Sequence, residues 1–250
     1  AEAKLFNPTF AVSGSAVTGT VDISGNRGIA AATAASASNT LSVVSDTLID
    51  GSSAGAVTLT TNASANFDSA GAPVAALLNR QVSTGVVNSI IDGETTDSAQ
   101  VVLTGAMNGS LAVDSNMLVA QSRGNYADST IAVSAGSTID AGTQAVLASN
   151  QNRSSGAISA EVNGGTGATL GATLASAGGS LSVDNNLVRA SGAANIAVNA
   201  MTISGGFSGS ANTSGAVPTD APAIATTAQF AVLNGQQNGS NVSAQVTDYK

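Results

Sequence analysis

The stretch that most constrains this chain is Gly109–Val133, GSLAVDSNMLVAQSRGNYADSTIAV, because it recurs. It returns without a gap at Gly179–Ile203, as GSLSVDNNLVRASGAANIAVNAMTI, and more faintly at Gly19–Val43, as GTVDISGNRGIAAATAASASNTLSV. All three copies share a leading glycine (Gly19, Gly109, Gly179) and an asparagine seven places on (Asn26, Asn116, Asn186). They also share two alanine positions, Ala30, Ala120, Ala190 and Ala37, Ala127, Ala197. Apolar residues stand two apart near the start (Leu111, Val113; Leu181, Val183) and again near the end (Ile131, Val133; Met201, Ile203). A spacing of two is the period of a strand and not of a helix. A recurring block of such strands describes a stack of like units, each covering the apolar face of its neighbour.

A second block alternates with the first. Phe230–Val246 reads FAVLNGQQNGSNVSAQV, Ala145–Val162 reads AVLASNQNRSSGAISAEV, and Ala76–Ile91 reads ALLNRQVSTGVVNSII; Phe10–Val21 is a shorter relative. From Ala11 to Ala76, Ala145 and Ala231 the steps are 65, 69 and 86 residues. The expected fold is therefore all-β, a right-handed parallel β-solenoid (β-helix) forming one domain over residues 1–250, with units starting near 11, 76, 145 and 231. Units of this length suit about three coils of about 20–28 residues each, giving about ten coils. At ~4.8 Å per layer the rod would be ~50 Å long. Residues 1–8 read as a lead-in segment ending in the Asn7-Pro8 turn. Residues 207–222, with two of the four prolines, read as an insertion loop that accounts for the longest step. The Gly/Ala/Thr-rich run 163–179 reads as a tight passage or a loose outer segment. An apolar residue followed by Asp and Gly recurs at Ile49-Asp50-Gly51, Ile91-Asp92-Gly93 and, with one inserted alanine, Ile139-Asp140-Ala141-Gly142, as a strand end meeting a corner.

Composition agrees with a thin core. Charged residues are 9% where about 25% is usual, and aromatics only 3%, so a globule filled by bulky side chains is excluded. Low charge, four prolines and alternating Val, Ile and Leu argue against disorder. Without cysteine there is no disulfide or thiolate site, and without histidine no catalytic imidazole and no imidazole metal ligand. The densest acidic cluster, Asp92, Glu94 and Asp97 in DGETTD, reads as an exposed turn and not as a carboxylate pair or a calcium loop. Gly164-Gly165-Thr166-Gly167 lacks the lysine and helix of a phosphate loop. Net charge is −8, with seven basic residues spread singly, which disfavours nucleic acid and anionic membrane as partners. No apolar run approaches the about 18 residues of a membrane span. The expectation is a protein that is not an enzyme, with no cofactor and no metal.

Two sets of residues remain. Asn26, Asn116 and Asn186 share one repeat position and are candidates for an inward amide ladder at a corner, although units of several coils leave them no need to touch. Phe6 and Phe10 lie near one end of the chain, Phe230 and Tyr249 near the other, as candidates for capping the terminal coils or for stacking one molecule on the next. A contact of that kind does not close, so it builds a fibre.

Units of the form GSLxVxxNxLxAxxxGNxA followed by AVLxxxQNxxxxxSAxV resemble the Ala/Asn/Ser-rich repeats of alphaproteobacterial surface proteins, the holdfast-anchoring proteins among them, over most of residues 10–246. The resemblance implies a structural role outside the cell, at the outer membrane surface, with fibre subunits and polysaccharide as partners. It implies no catalytic residues. The expected function is a surface fibre subunit or adhesin anchor assembling end to end through its terminal coils. The alternative is a carbohydrate-binding or carbohydrate-cleaving β-helix, such as a tailspike or lyase.

Overall fold

The structure, a computed structural model, describes residues 1–6, 10–14, 16, 18–49, 57–60, 65–67, 75–92, 99–140, 145–163, 170–208, 215–216, 223–226 and 230–247. These residues form strands and turns and no helix. The chain makes three passes through one series of strands. The first pass holds β1 (Glu2–Phe6), β2 (Phe10–Gly14), β3 (Thr20–Ser24), β4 (Arg27–Ser45), β5 (Leu48–Ile49), β6 (Val57–Thr60), β7 (Ala65–Phe67) and β8 (Ala75–Ser83). The second holds β9 (Val87–Asp92), β10 (Ala99–Met107), β11 (Ser110–Asp114), β12 (Met117–Asp140) and β13 (Ala145–Arg153). The third holds β14 (Ile158–Asn163), β15 (Leu170–Ala177), β16 (Ser180–Ser182), β17 (Leu187–Ser208), β18 (Gly215–Ala216), β19 (Ala223–Thr226) and β20 (Phe230–Asn238), and β21 (Val242–Thr247) follows it.

Equivalent strands of successive passes pair side by side. Sheet I is β1-β9-β14-β21, sheet II β2-β10-β15, sheet III β3-β11-β16, sheet IV β4-β12-β17 and sheet V β8-β13-β20. Every pairing in these five sheets is parallel. Each pass visits them in the same order, an arrangement consistent with a β-solenoid or β-helix. The three copies of the first sequence block stand in the register that aligns their sequences: Met117 faces both Arg27 and Leu187, and Ile131 faces both Leu41 and Met201.

Ten short coils are not what pairs. Met117 meets Arg27 and Leu187, a whole unit away on either side, so each sheet is three or four strands deep. The reason lies in sheet IV, whose central strand is assigned over 24 residues, with a change of inward face at Gly124/Asn125 and a register shift between Ser134 and Thr138. A stretch that length suggested should fold into several coils is one bent strand of a single pass. The start near residue 11 also shifts. Phe10–Gly14 pairs with Ala99–Leu103, whereas the Ala75, Ala145 and Phe230 strands pair with one another. The run 163–179 contains a regular strand, β15, on β10. Of the three apolar-Asp-Gly corners, Leu48–Ile49 and Thr138–Ile139 stack in sheet IV, while Ile91 and Asp92 end a strand of sheet I.

The chain runs out along sheet IV and back along sheets V and I. Ile131, Val133, Ala135 and Ile139 of β12 therefore pack on Ala145 and Leu147 of β13, and Leu118 and Ala120 on Ile91, Ala160 and Val162 of sheet I. Between these two apolar ends the interior mixes a small cluster of Ala32, Val87 and Ile158 with buried polar residues, Ser122, Asn125 and Ser129 of β12 and Gln81, Gln151 and Arg153 of sheet V. Alternation along β12 changes phase once: the buried side is even-numbered as far as Gly124 and odd-numbered from Asn125. The pairing register is unchanged across that point on both flanking strands, so all three kink together.

Residues leave the series between sheets IV and V in the first and third passes. Their described parts, β6, β7, β18 and β19, form a sixth, antiparallel sheet, β18-β19-β6-β7. Within the expected insertion 207–222 only β18 and the end of β17 are described. Strand β6 contacts β13 and β19 contacts β20. Sheet V is thus covered on both sides, which is why residues 145–150 are buried without alternation.

Candidate functional site

The stacking of equal residues builds ladders through the three passes. At the corner between sheets III and IV the residue before each asparagine has positive φ: Gly25 (69°), Ser115 (58°) and Asn185 (55°). That left-handed step turns the chain, and Asn26, Asn116 and Asn186 turn inward behind it. Asn26 donates its backbone N–H (3.2 Å) and Nδ2 (3.0 Å) to Asn116 Oδ1. Asn116 repeats both bonds to Asn186 Oδ1, at 3.0 Å each, and also donates Nδ2 to the Ile23 carbonyl at 2.8 Å. The one-pass unit places these three side chains in direct contact.

A second ladder runs through sheet V with the opposite polarity. Gln151 Nε2 donates to Gln81 Oε1 (2.8 Å), and Gln236 Nε2 to Gln151 Oε1 (3.1 Å). Gln81 and Gln151 also reach across the interior to the Tyr126 and Ile196 carbonyls, so they tie sheet V to sheet IV. Beside them Arg153 is fully buried. Its guanidinium donates to Ser83 Oγ (3.1 Å) and to the Gly85 and Gly156 carbonyls, and burial pushes its pKa down. Gly124 makes the room: a Cβ there would stand 3.0 Å from Arg153 Cδ and 2.2 Å from the Ala194 carbonyl oxygen. Sequence reasoning passed over Arg153 and Gln151. The signal for them was the register itself, which sets Gln81, Gln151 and Gln236 in one file.

Both ladders are open at their ends. Among the described residues Asn26 Oδ1 accepts no hydrogen bond, and Asn186 has an N–H and one Nδ2 hydrogen without an acceptor. The first face of the stack therefore offers an acceptor at Asn26 and a donor at Gln81; the last offers a donor at Asn186 and an acceptor at Gln236. The apolar files are open there too. Leu111 is 2% exposed, but Leu181, beside it in the last pass, is 49% exposed.

The leading glycines carry the same message. A Cβ on Gly109 would stand 1.7 Å from the Gly19 carbonyl oxygen, and one on Gly179 would stand 1.7 Å from that of Gly109. Glycine is obligatory wherever another pass lies beneath. Among the described residues nothing lies within 4 Å of a Cβ built on Gly19, and its φ is not left-handed.

Of the aromatic candidates, Phe6 ends β1 in the first pass, 58% exposed, with Lys4 Nζ 5.9 Å from its ring centroid. Phe10 opens β2, also in the first pass; its side chain lies outside the described residues. Phe230 opens β20 in the last pass and packs half-buried on the core cluster around Ile131 and Leu147. Tyr249 lies outside the described residues, as do Glu94, Asp97 and Gly164–Gly167. Strands β1 and β21 thus fall on opposite faces of the stack. No group of three His, Cys, Asp or Glu gathers to hold a metal among the described residues, and no described helix is long and apolar enough to cross a membrane. Comparison with known proteins finds no family model, no curated protein and no solved structure that matches the chain.

Proposed function

We propose that this chain is a structural, non-enzymatic segment of a right-handed β-solenoid at the bacterial cell surface, which assembles head to tail with further copies of itself into a fibre or anchor. The right hand is that of nearly all parallel β crossovers. The observation that carries the reading is Gly19, which keeps glycine at a position where only a pass lying against the first face would require it. The open ladders agree in polarity: Asn186 of one copy would donate to Asn26 of the next, and Gln81 of that copy to Gln236. Contacts of this kind are heterologous and do not close.

The test is negative-stain microscopy of the 250-residue chain over a concentration series. Fibres should form with an axial repeat of ~14 Å, three layers at ~4.8 Å. Gly19→Ala should abolish them while leaving the monomer folded, because its Cβ would meet the partner's Gly179 carbonyl. Monomers that persist at every concentration, or Gly19→Ala fibres identical to wild type, defeat the proposal.

A second reading, a carbohydrate-binding lateral face, is favoured by one observation. The outer side of sheet IV carries Arg27, Arg123 and Arg189, with the Arg123 guanidinium 5.2 Å from the Tyr126 ring. Glycan-array binding by the wild type, lost in the triple Arg→Ser variant, would support it.

A further inference from the structure

We infer that at a head-to-tail joint β21 of one copy takes the place that β1 holds in the next, so that β1 is a removable cap on the first face. The inference rests on the head-to-tail reading above and concerns how such a joint is made. Sheet I has four strands, whereas sheets II to V each have three from the passes. Within the molecule each strand of sheet I lies against sheet IV strands of the passes on either side: β9 against β4 and β12, β14 against β12 and β17. Among the described residues, the main sheet IV neighbour of β21 is β17 and that of β1 is β4. When a second copy brings its β4 beside β17, the single place between them is claimed both by β21 and by the incoming β1. One of the two has to leave.

The chemistry of the two strands decides which. In β21, VSAQVT, there is no charge, and Val242, Ala244 and Val246 continue the files of Ile158, Ala160 and Val162. Ile158 and Val162 are fully buried, while Val242 and Val246 remain 41% and 43% exposed, for want of a strand beyond them. Strand β1 carries Glu2 and Lys4 on its outer side, paired with each other at 2.9 Å. Charges on an edge strand discourage a further strand from adding to it. The incoming β9 therefore exchanges a charged partner from its own chain for an uncharged one from its neighbour.

The exchange is tested on the full-length chain, which has no cysteine. Phe6→Cys then carries a single spin label at the end of β1. Its spectrum should be ordered in the monomer and become mobile in fibres. Leu5→Ser, which loosens the cap, should lower the concentration at which fibres form by about tenfold. Val246→Asp, which spoils the donated strand, should raise it by at least as much. Fibres in which the label stays ordered, or a Leu5→Ser chain that needs more protein to assemble, overturn the exchange and leave head-to-tail stacking standing. A chain that forms no fibre in any variant overturns both.

Discussion

Asn116 is where the ladder can be weighed. Its side chain is fully buried and takes part in four hydrogen bonds: it accepts two from Asn26 and gives one each to Asn186 and the Ile23 carbonyl, all between 2.8 and 3.2 Å. Asn116→Ala removes all four and strands donors and acceptors on both neighbours. Each net hydrogen bond contributes about 1 kcal/mol, and each buried group left without a partner costs about 1–3 kcal/mol. The expected loss is ~3–5 kcal/mol, a large share of the about 5–15 kcal/mol that holds an ordinary domain together. Asn26→Ala removes only the Nδ2 bond into Asn116, since the backbone N–H of residue 26 stays in place, at a half-buried position where water can replace it, and should cost ~1 kcal/mol. Guanidinium unfolding of the monomer at low protein concentration gives both numbers, provided the slope with denaturant is the same in each variant. If Asn116→Ala costs no more than Asn26→Ala, the ladder is a by-product of stacking and contributes nothing to stability.

Other expectations follow from the same geometry. Gly109→Ala should cost ~3 kcal/mol or more, because its methyl would overlap the Gly19 carbonyl at 1.7 Å, while Gly19→Ala should change monomer stability by less than ~0.5 kcal/mol; thermal melts of the pair decide it. Arg153→Ala should cost ~3–5 kcal/mol through the lost contacts to Ser83, Gly85 and Gly156 and the cavity left beside Gly124, and Arg153→Lys should recover only part of it, because an ammonium cannot match the fork; denaturant midpoints read both. Phe230→Asp should destabilise the monomer as well as any fibre, since its ring packs on the core, and circular dichroism of the monomer separates the two effects.

The repeat was legible to the residue, and the size of the turn was not. Aligning Gly19, Gly109 and Gly179 by eye yields the pairing register of sheets III and IV directly, because stacked strands place equal residues side by side. The turn was misjudged because strands usually run about 5–6 residues. In β12 the apolar alternation at Leu118 and Ala120 lapses into Ser122, Asn125 and Ser129 before resuming at Ile131. Those polar residues are inward positions of one strand, satisfied across a narrow interior. The short relative at Phe10 misled for a different reason. FAV at the start of β2 and FAV at the start of β20 are both ordinary strand openings, and nothing in three residues says which sheet they join.

The polar interior has a cost, and its distribution suggests what it provides. The apolar files are built from Ala, Val and Leu, which differ little in shape, so a long flat strand of them could slide by two residues along its neighbour and bury nearly as much. A slide of two would move Asn116 away from Asn26 and Asn186, and Gln151 away from Gln81 and Gln236, leaving buried amides without partners. Identical amides in file therefore hold the register that the alanines leave loose. Their directions add something an apolar stack lacks. The asparagine ladder donates from earlier pass to later, the glutamine ladder from later to earlier, so a reversed neighbour would set acceptor on acceptor at one ladder and donor on donor at the other. The same residues that align three passes within the chain thereby define one orientation for any further pass against either face.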